Sequence, residues 1–147
     1  MPEQNLRKTS LLWLFCNPFG RISKGVYWLA TALIFCVLSI AVNVATSSLA
    51  DTYIENGTSD LTLAQAYSDL LTTNPLLYPL LLVANFMVFM LVIKRLQDRG
   101  VTGFVALTLF LPFLNLLVPI IVGFLKSQEG PNKYGPASNT RPFQRKK

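Results

Sequence analysis

The chain has 147 residues, of which 52% are hydrophobic and only 14% charged, with a mean hydropathy of +0.44. A typical soluble domain carries about 25% charged residues, so the composition argues against water as the main solvent. The net charge of +6 would suggest nucleic acid in a soluble protein; without an accompanying nucleic-acid motif it is read here as a membrane-orientation signal.

Side-chain inventory narrows the chemistry further. With no His and two Cys, the usual residues for zinc sites and imidazole acid/base work are missing, and no metal or cofactor is expected. Cys16 and Cys36 would stand roughly 30 Å apart along a helix, far beyond disulfide reach. Both read as small apolar residues.

In chain order, residues 1–25 form a cytoplasmic N-terminal segment carrying Arg7, Lys8, Arg21 and Lys24 against Glu3. Within it, Ser10 to Cys16 is too short an apolar run to cross a bilayer and is expected to rest in the interface. The first long apolar stretch, 26–50, has no charged residue and satisfies the roughly 20 residues a spanning helix needs. Ser48-Leu49-Ala50 resembles a signal-peptide cleavage site, but the long preamble and the two later apolar runs favour a retained helix. A lipoprotein reading of Cys16 fails because bulky Phe15 precedes it. Tyr27 and Trp28, at the start of this span, have the amphipathic rings of interfacial anchors.

Residues 51–75 hold Asp51, Glu55, Asp60 and Asp69 and no base. This segment belongs outside, since orientation follows Lys and Arg. Thr62 and Gln65 fit a capping box, and Leu63, Ala66, Tyr67, Leu70 and Leu71 recur at helical spacing, predicting a short amphipathic helix on the outer surface. Asn56-Gly57-Thr58 matches a glycosylation sequon but reads better as a turn. A second span, 76–93, begins after Asn74-Pro75 and is closed by Lys94 and Arg95. If its helix continues one turn further, Arg95 and Asp98 share a face and can pair.

The third apolar stretch, 104–125, carries Pro112, Asn115, Pro119 and Gly123, which argue against one straight helix. A full crossing would export the basic tail 126–147, against the charge rule. The preferred reading is re-entrant: two half-helices, broken near Pro112 to Asn115, reaching about 15 Å each before returning. A kinked full crossing is the alternative. The expected fold is therefore an all-α membrane protein with two transmembrane helices, a broken or re-entrant third segment and short interfacial helices. Its organisation is 1–25, a membrane domain 26–125, and the tail, of which 137–147 reads as flexible. Asn43, Asn85 and Asn115 within the apolar stretches are expected to find partners on neighbouring helices.

Three motifs carry a resemblance. Phe19-Gly20-Arg21-Ile22-Ser23-Lys24 leads into Tyr27-Trp28, Lys94-Arg95-Leu96-Gln97-Asp98-Arg99-Gly100 precedes Gly103-Phe104, and Gly130-Pro131-Asn132-Lys133-Tyr134-Gly135-Pro136 follows the third stretch. In this order they resemble the bacterial family called domain of unknown function 805, bracketing residues from about 11 to 136. Gln97 stands where that family commonly has His, and Thr102 where Ser is common. The resemblance implies a small inner-membrane protein with a compact helical fold and no established activity.

The sharpest structural expectation is a cytoplasmic interface network of Arg21, Arg95 and Asp98, with Asn132 and Tyr134 folding back onto it. Its alternative is that Arg21, Lys24, Lys94 and Arg99 are solvated orientation signals. No nucleophile-base set, phosphate loop or metal-ligand spacing is recognisable, so a non-enzymatic accessory or interaction subunit is expected. Its surroundings would be the bilayer, including anionic lipids, with a membrane-protein partner or a homo-oligomer, and no nucleic acid. A small oligomeric transporter or channel is the alternative, and a lipid-headgroup enzyme using Asp98, Arg95 and Tyr134 is a third.

Overall fold

The computed structural model describes residues 10–56 and 62–142, and among them every regular element is helical. Helix α1 (Leu11–Cys16) starts where the Ser10 side chain accepts from the Trp13 backbone N–H, satisfying one of the free donors of a first turn. Helix α2 (Lys24–Asn56) begins before the uncharged stretch and runs past its end. At 33 residues and about 1.5 Å each, it is longer than a bilayer core. Helix α3 (Leu63–Thr73) carries the capping box of Thr62 and Gln65 in both directions and buries no residue.

Helix α4 (Leu77–Asp98) extends one turn beyond the apolar run, which brings Lys94, Arg95 and Asp98 onto the helix. Pro79 sits in its first turn, where a missing N–H removes no ladder bond. Gly100 closes it at φ +80°: its N–H reaches the Gln97 carbonyl and the Val101 N–H reaches that of Leu96, the pairing of a Schellman end. Helices α2 and α4 are both long and apolar enough to cross a membrane.

The third apolar stretch is broken, but differently from expectation. Its first arm, Gly103–Phe110, is a 3-10 helix, and its second is α5 (Leu114–Phe124). The break falls at Leu111 to Phe113, so Asn115 lies inside α5. Pro112 cannot donate to the preceding arm, whereas Pro119 is tolerated within α5 at the loss of one ladder bond. The arms pack on each other and reach about 16 Å each at 2.0 and 1.5 Å per residue.

The chain divides into two compact units, one of Met1–Ala32 with Phe86–Lys147 and one of Leu33–Asn85. In the first, the 3-10 arm runs back along α4: Gly103 lies against Ile93, and the Phe110 ring is 5.8 Å from that of Phe89. The buried side chains Trp13, Ile22, Tyr27, Leu91, Val92, Leu96, Ala106 and Val122 form its apolar core. In the second, Ile34, Ala45, Leu49, Leu77 and Ala84 are buried, and the Tyr53 hydroxyl donates to Asp69 at 2.6 Å, tying α2 to α3.

Candidate functional site: a buried polar clasp

Helices α1 and α5 end close to the last turn of α4, and these two ends leave backbone carbonyls without ladder partners and a partial negative charge. Cations meet them there. Lys94 Nζ donates to the carbonyls of Trp13 and Leu14, both at 2.5 Å, and lies 4.4 Å from the Trp13 ring centroid. Arg95 donates through Nη2 to the Leu125 carbonyl at the end of α5, and through Nη1 to Ser127 Oγ and the Ile22 carbonyl.

Between the two arginines sits Asp98. Its Oδ1 accepts from Arg21 Nε at 3.1 Å and from Ser138 Oγ at 2.5 Å, while Oδ2 accepts from Arg95 Nη1 at 2.6 Å. Arg21 and Asp98 are fully buried and Arg95 is 1% exposed. The rest of the Arg21 fork is wired to the chain: Nη1 donates to the carbonyls of Gly130 and Gly135, and Nη2 to that of Gln128. Two buried arginines thus share one carboxylate, while buried Lys94 is met by the carbonyls of Trp13 and Leu14; backbone carbonyls and helix ends offset the surplus positive charge.

The sequence motifs converge because the backbone between them is pinned. Gly20 N–H donates to Gln97 Oε1, Arg21 N–H to the Thr140 carbonyl, and Ser23 N–H to Asn139 Oδ1. Asn132 Nδ2 donates to the Gln97 carbonyl at 3.0 Å, and Asn132 and Gly135 exchange backbone hydrogen bonds in a tight turn. Tyr134 is half-buried; its N–H is held by Asn132 Oδ1 and its ring lies under Lys133 Nζ, so its hydroxyl is not part of the clasp.

Several expectations need correction. Arg21 and Lys94 are not solvated orientation signals, since both are fully buried, whereas Lys24 and Arg99 are exposed. Residues 137–142 are not a flexible tail: Ser138, Asn139 and Thr140 each bond into the clasp region. Residues 143–147 lie outside the described residues. Tyr27 does not stand as an interfacial anchor. It is fully buried and donates to the Pro119 carbonyl at 2.8 Å, while half-buried Trp28 donates to the Gly123 carbonyl at 3.1 Å. Gly123 permits that approach, because a Cβ there would lie 2.7 Å from Trp28 and 2.8 Å from Tyr27.

The three asparagines do not reach neighbouring helices. Asn43 and Asn85 donate to the carbonyls four residues back, of Ser39 and Leu81, and exposed Asn115 makes no side-chain hydrogen bond among the described residues. A helix offers its own carbonyl within reach of such a side chain, so a local bond wins. Sequence reasoning also missed Trp13, Gln97 as a backbone acceptor, Ser127, Ser138 and Thr140. Ser and Thr carry no pattern that separates a site residue from a surface one.

Chemically, the arrangement is a clasp. Both Asp98 oxygens are occupied by protein donors, and Arg21 spends its donors on the chain's own acceptors. The class defined is an all-helical protein whose two apolar helices and short apolar hairpin are tied at one end by a buried ionic network. Residues 15–136 match the family described as Protein of unknown function (DUF805), and the chain belongs to it. Neither a curated protein nor a solved structure matches the chain.

Proposed function

We propose that the chain is an integral protein of the bacterial inner membrane, with both terminal segments in the cytoplasm, that serves as a non-enzymatic accessory or interaction subunit. The membrane reading is supported by the large apolar side chains that α2 leaves uncovered, among them Leu29, Leu33, Phe35, Ile40 and Val44. In water that surface would be costly; in hydrocarbon it is the ordinary exterior of a span.

The clasp supports this topology. It binds the segment before α2, the end of α4, and residues on the far side of the third apolar stretch into one cluster. Both ends of that stretch therefore lie on one side, and its arms of about 16 Å reach only about half of a 30 Å core. The hairpin enters and returns, which keeps every basic segment in the cytoplasm, as the Lys and Arg distribution demands. A fusion reporter active only outside the cytoplasm, placed after Lys147, should stay silent, while the same reporter between Asp51 and Asn74 should be active. Activity at the C-terminus would overturn the hairpin.

The accessory role rests on how the polar groups are spent. The carboxylate and the guanidinium of Arg21 hold the chain together and offer no free base or acid to a substrate. Purification in mild detergent with mass spectrometry of retained molecules should recover a reproducible protein partner or a second copy. Ion or solute flux through purified chain in liposomes would instead favour a transporter.

A further inference from the structure

A half-open cleft of about 150 Å³ lies between α1 and the start of α2, lined by Ser10, Leu11, Trp13, Leu14, Val26 and Asn139. Its walls are mainly apolar, and a cavity of that size takes a group about as large as benzene. Beside it, α1 turns Leu11 and Leu12 outward at 73% and 76% exposure.

The rim has the opposite character. Arg141 Nη2 lies 3.4 Å from Ser10 Oγ, and its Nε is buried without a partner among the described residues. Lys24, two residues before Val26, belongs to the other face of α2, with its Nζ 5.1 Å from the Phe124 ring centroid, so Arg141 is the cation at this rim. The bond from Ser23 N–H to Asn139 Oδ1 holds the loop that carries Arg141 at the start of α2, beside the cleft. No carboxylate is bonded to either cation among the described residues.

We propose that this cleft seats an anionic phospholipid, with its headgroup phosphate on Arg141 and its first acyl methylenes against Leu11, Leu14 and Val26. The proposal rests on the membrane reading and names the partner of the cytoplasmic face. An apolar slot with a guanidinium at its rim that has no carboxylate partner among the described residues fits an amphiphile that is anionic at one end, whereas a zwitterionic lipid would bring a second cation to the same rim. A guanidinium suits the role because its fork matches two phosphate oxygens. Asn139, held at φ +63°, fixes the loop that delivers Arg141.

The test uses the full chain in neutral detergent micelles, with native mass spectrometry after adding phosphatidylglycerol, phosphatidylcholine or glycerol phosphate. Phosphatidylglycerol should be retained about fivefold over phosphatidylcholine. Arg141→Gln should lower that preference about fivefold, Arg141→Lys should keep most of it, and Val26→Trp should displace both diacyl lipids while leaving helical content unchanged. Equal retention of the two lipids, or an unchanged preference in Arg141→Gln, overturns the seat. Glycerol phosphate binding as tightly as the intact lipid overturns the acyl slot. Alkaline extraction of membranes scores the other reading separately: a chain washed into the supernatant overturns membrane insertion, whereas a chain that stays in the pellet yet shows no lipid preference in micelles overturns only the lipid seat.

Discussion

The two units solve the same problem of polar groups in apolar surroundings by different means. In Leu33–Asn85, Asn43, Thr46, Ser47, Ser48, Thr52 and Asn85 all return their side chains to carbonyls three or four residues earlier. In the unit of Met1–Ala32 and Phe86–Lys147, the buried Arg21 finds Asp98 at a separation of 77 positions and Gln128 at 107. Local bonds form wherever a helix forms. The distant ones exist only when three segments have already met, so the second kind of polarity specifies a tertiary arrangement and the first does not.

The contrast predicts a graded response to substitution, read as thermal unfolding of purified chain in one detergent. The largest effect should come from Asp98→Ala, which leaves two guanidinium groups buried without their carboxylate and should cost about 3–5 kcal/mol. A loss below about 1 kcal/mol would mean that carbonyls alone hold the clasp. Gly123→Leu comes next, since the new side chain would meet the rings of Tyr27 and Trp28 and overpacking of this kind costs about 1–3 kcal/mol. Intrinsic tryptophan fluorescence should shift with it, because Trp28 would lose its bond to the Gly123 carbonyl.

Smaller effects sharpen the comparison. Tyr27→Phe removes one hydroxyl donor to the Pro119 carbonyl and should cost about 1 kcal/mol. An unchanged midpoint would show that ring packing, rather than the hydrogen bond, secures α5. Asn85→Leu should stay within about 0.5 kcal/mol, since its amide serves only the Leu81 carbonyl of its own helix. A large loss there would place an undetected long-range partner in the second unit and erase the distinction between them.

Much of the helical plan was legible from residue order. Uncharged runs announced α2 and α4, Thr62 with Gln65 announced α3, and Pro112 announced that the third stretch would break, whereas Pro119 sits inside α5. The pairing of Arg95 with Asp98 followed from a spacing of three on one helix. What pattern could not give was direction. Tyr27 has the same amphipathic ring whether it faces headgroups or packs under α5, and Lys94 has the same charge whether solvated or capping α1. Ser138 and Thr140 read as part of a polar tail because their neighbours are polar, and their hydrogen-bond partners lie far away in the chain.

From sequence alone, then, come the apolar helices, the charge asymmetry and the family motifs, because these depend on composition and on periodicities of a few residues. Tertiary structure decided between alternatives that residue order left open: Arg21, Arg95 and Asp98 are buried together, Lys94 leaves water to meet the carbonyls of α1, and the two arms of the third stretch pack on each other. The physical reason is the cost of burying charge: those side chains leave water only where carbonyls and helix ends from several distant segments are assembled to receive them.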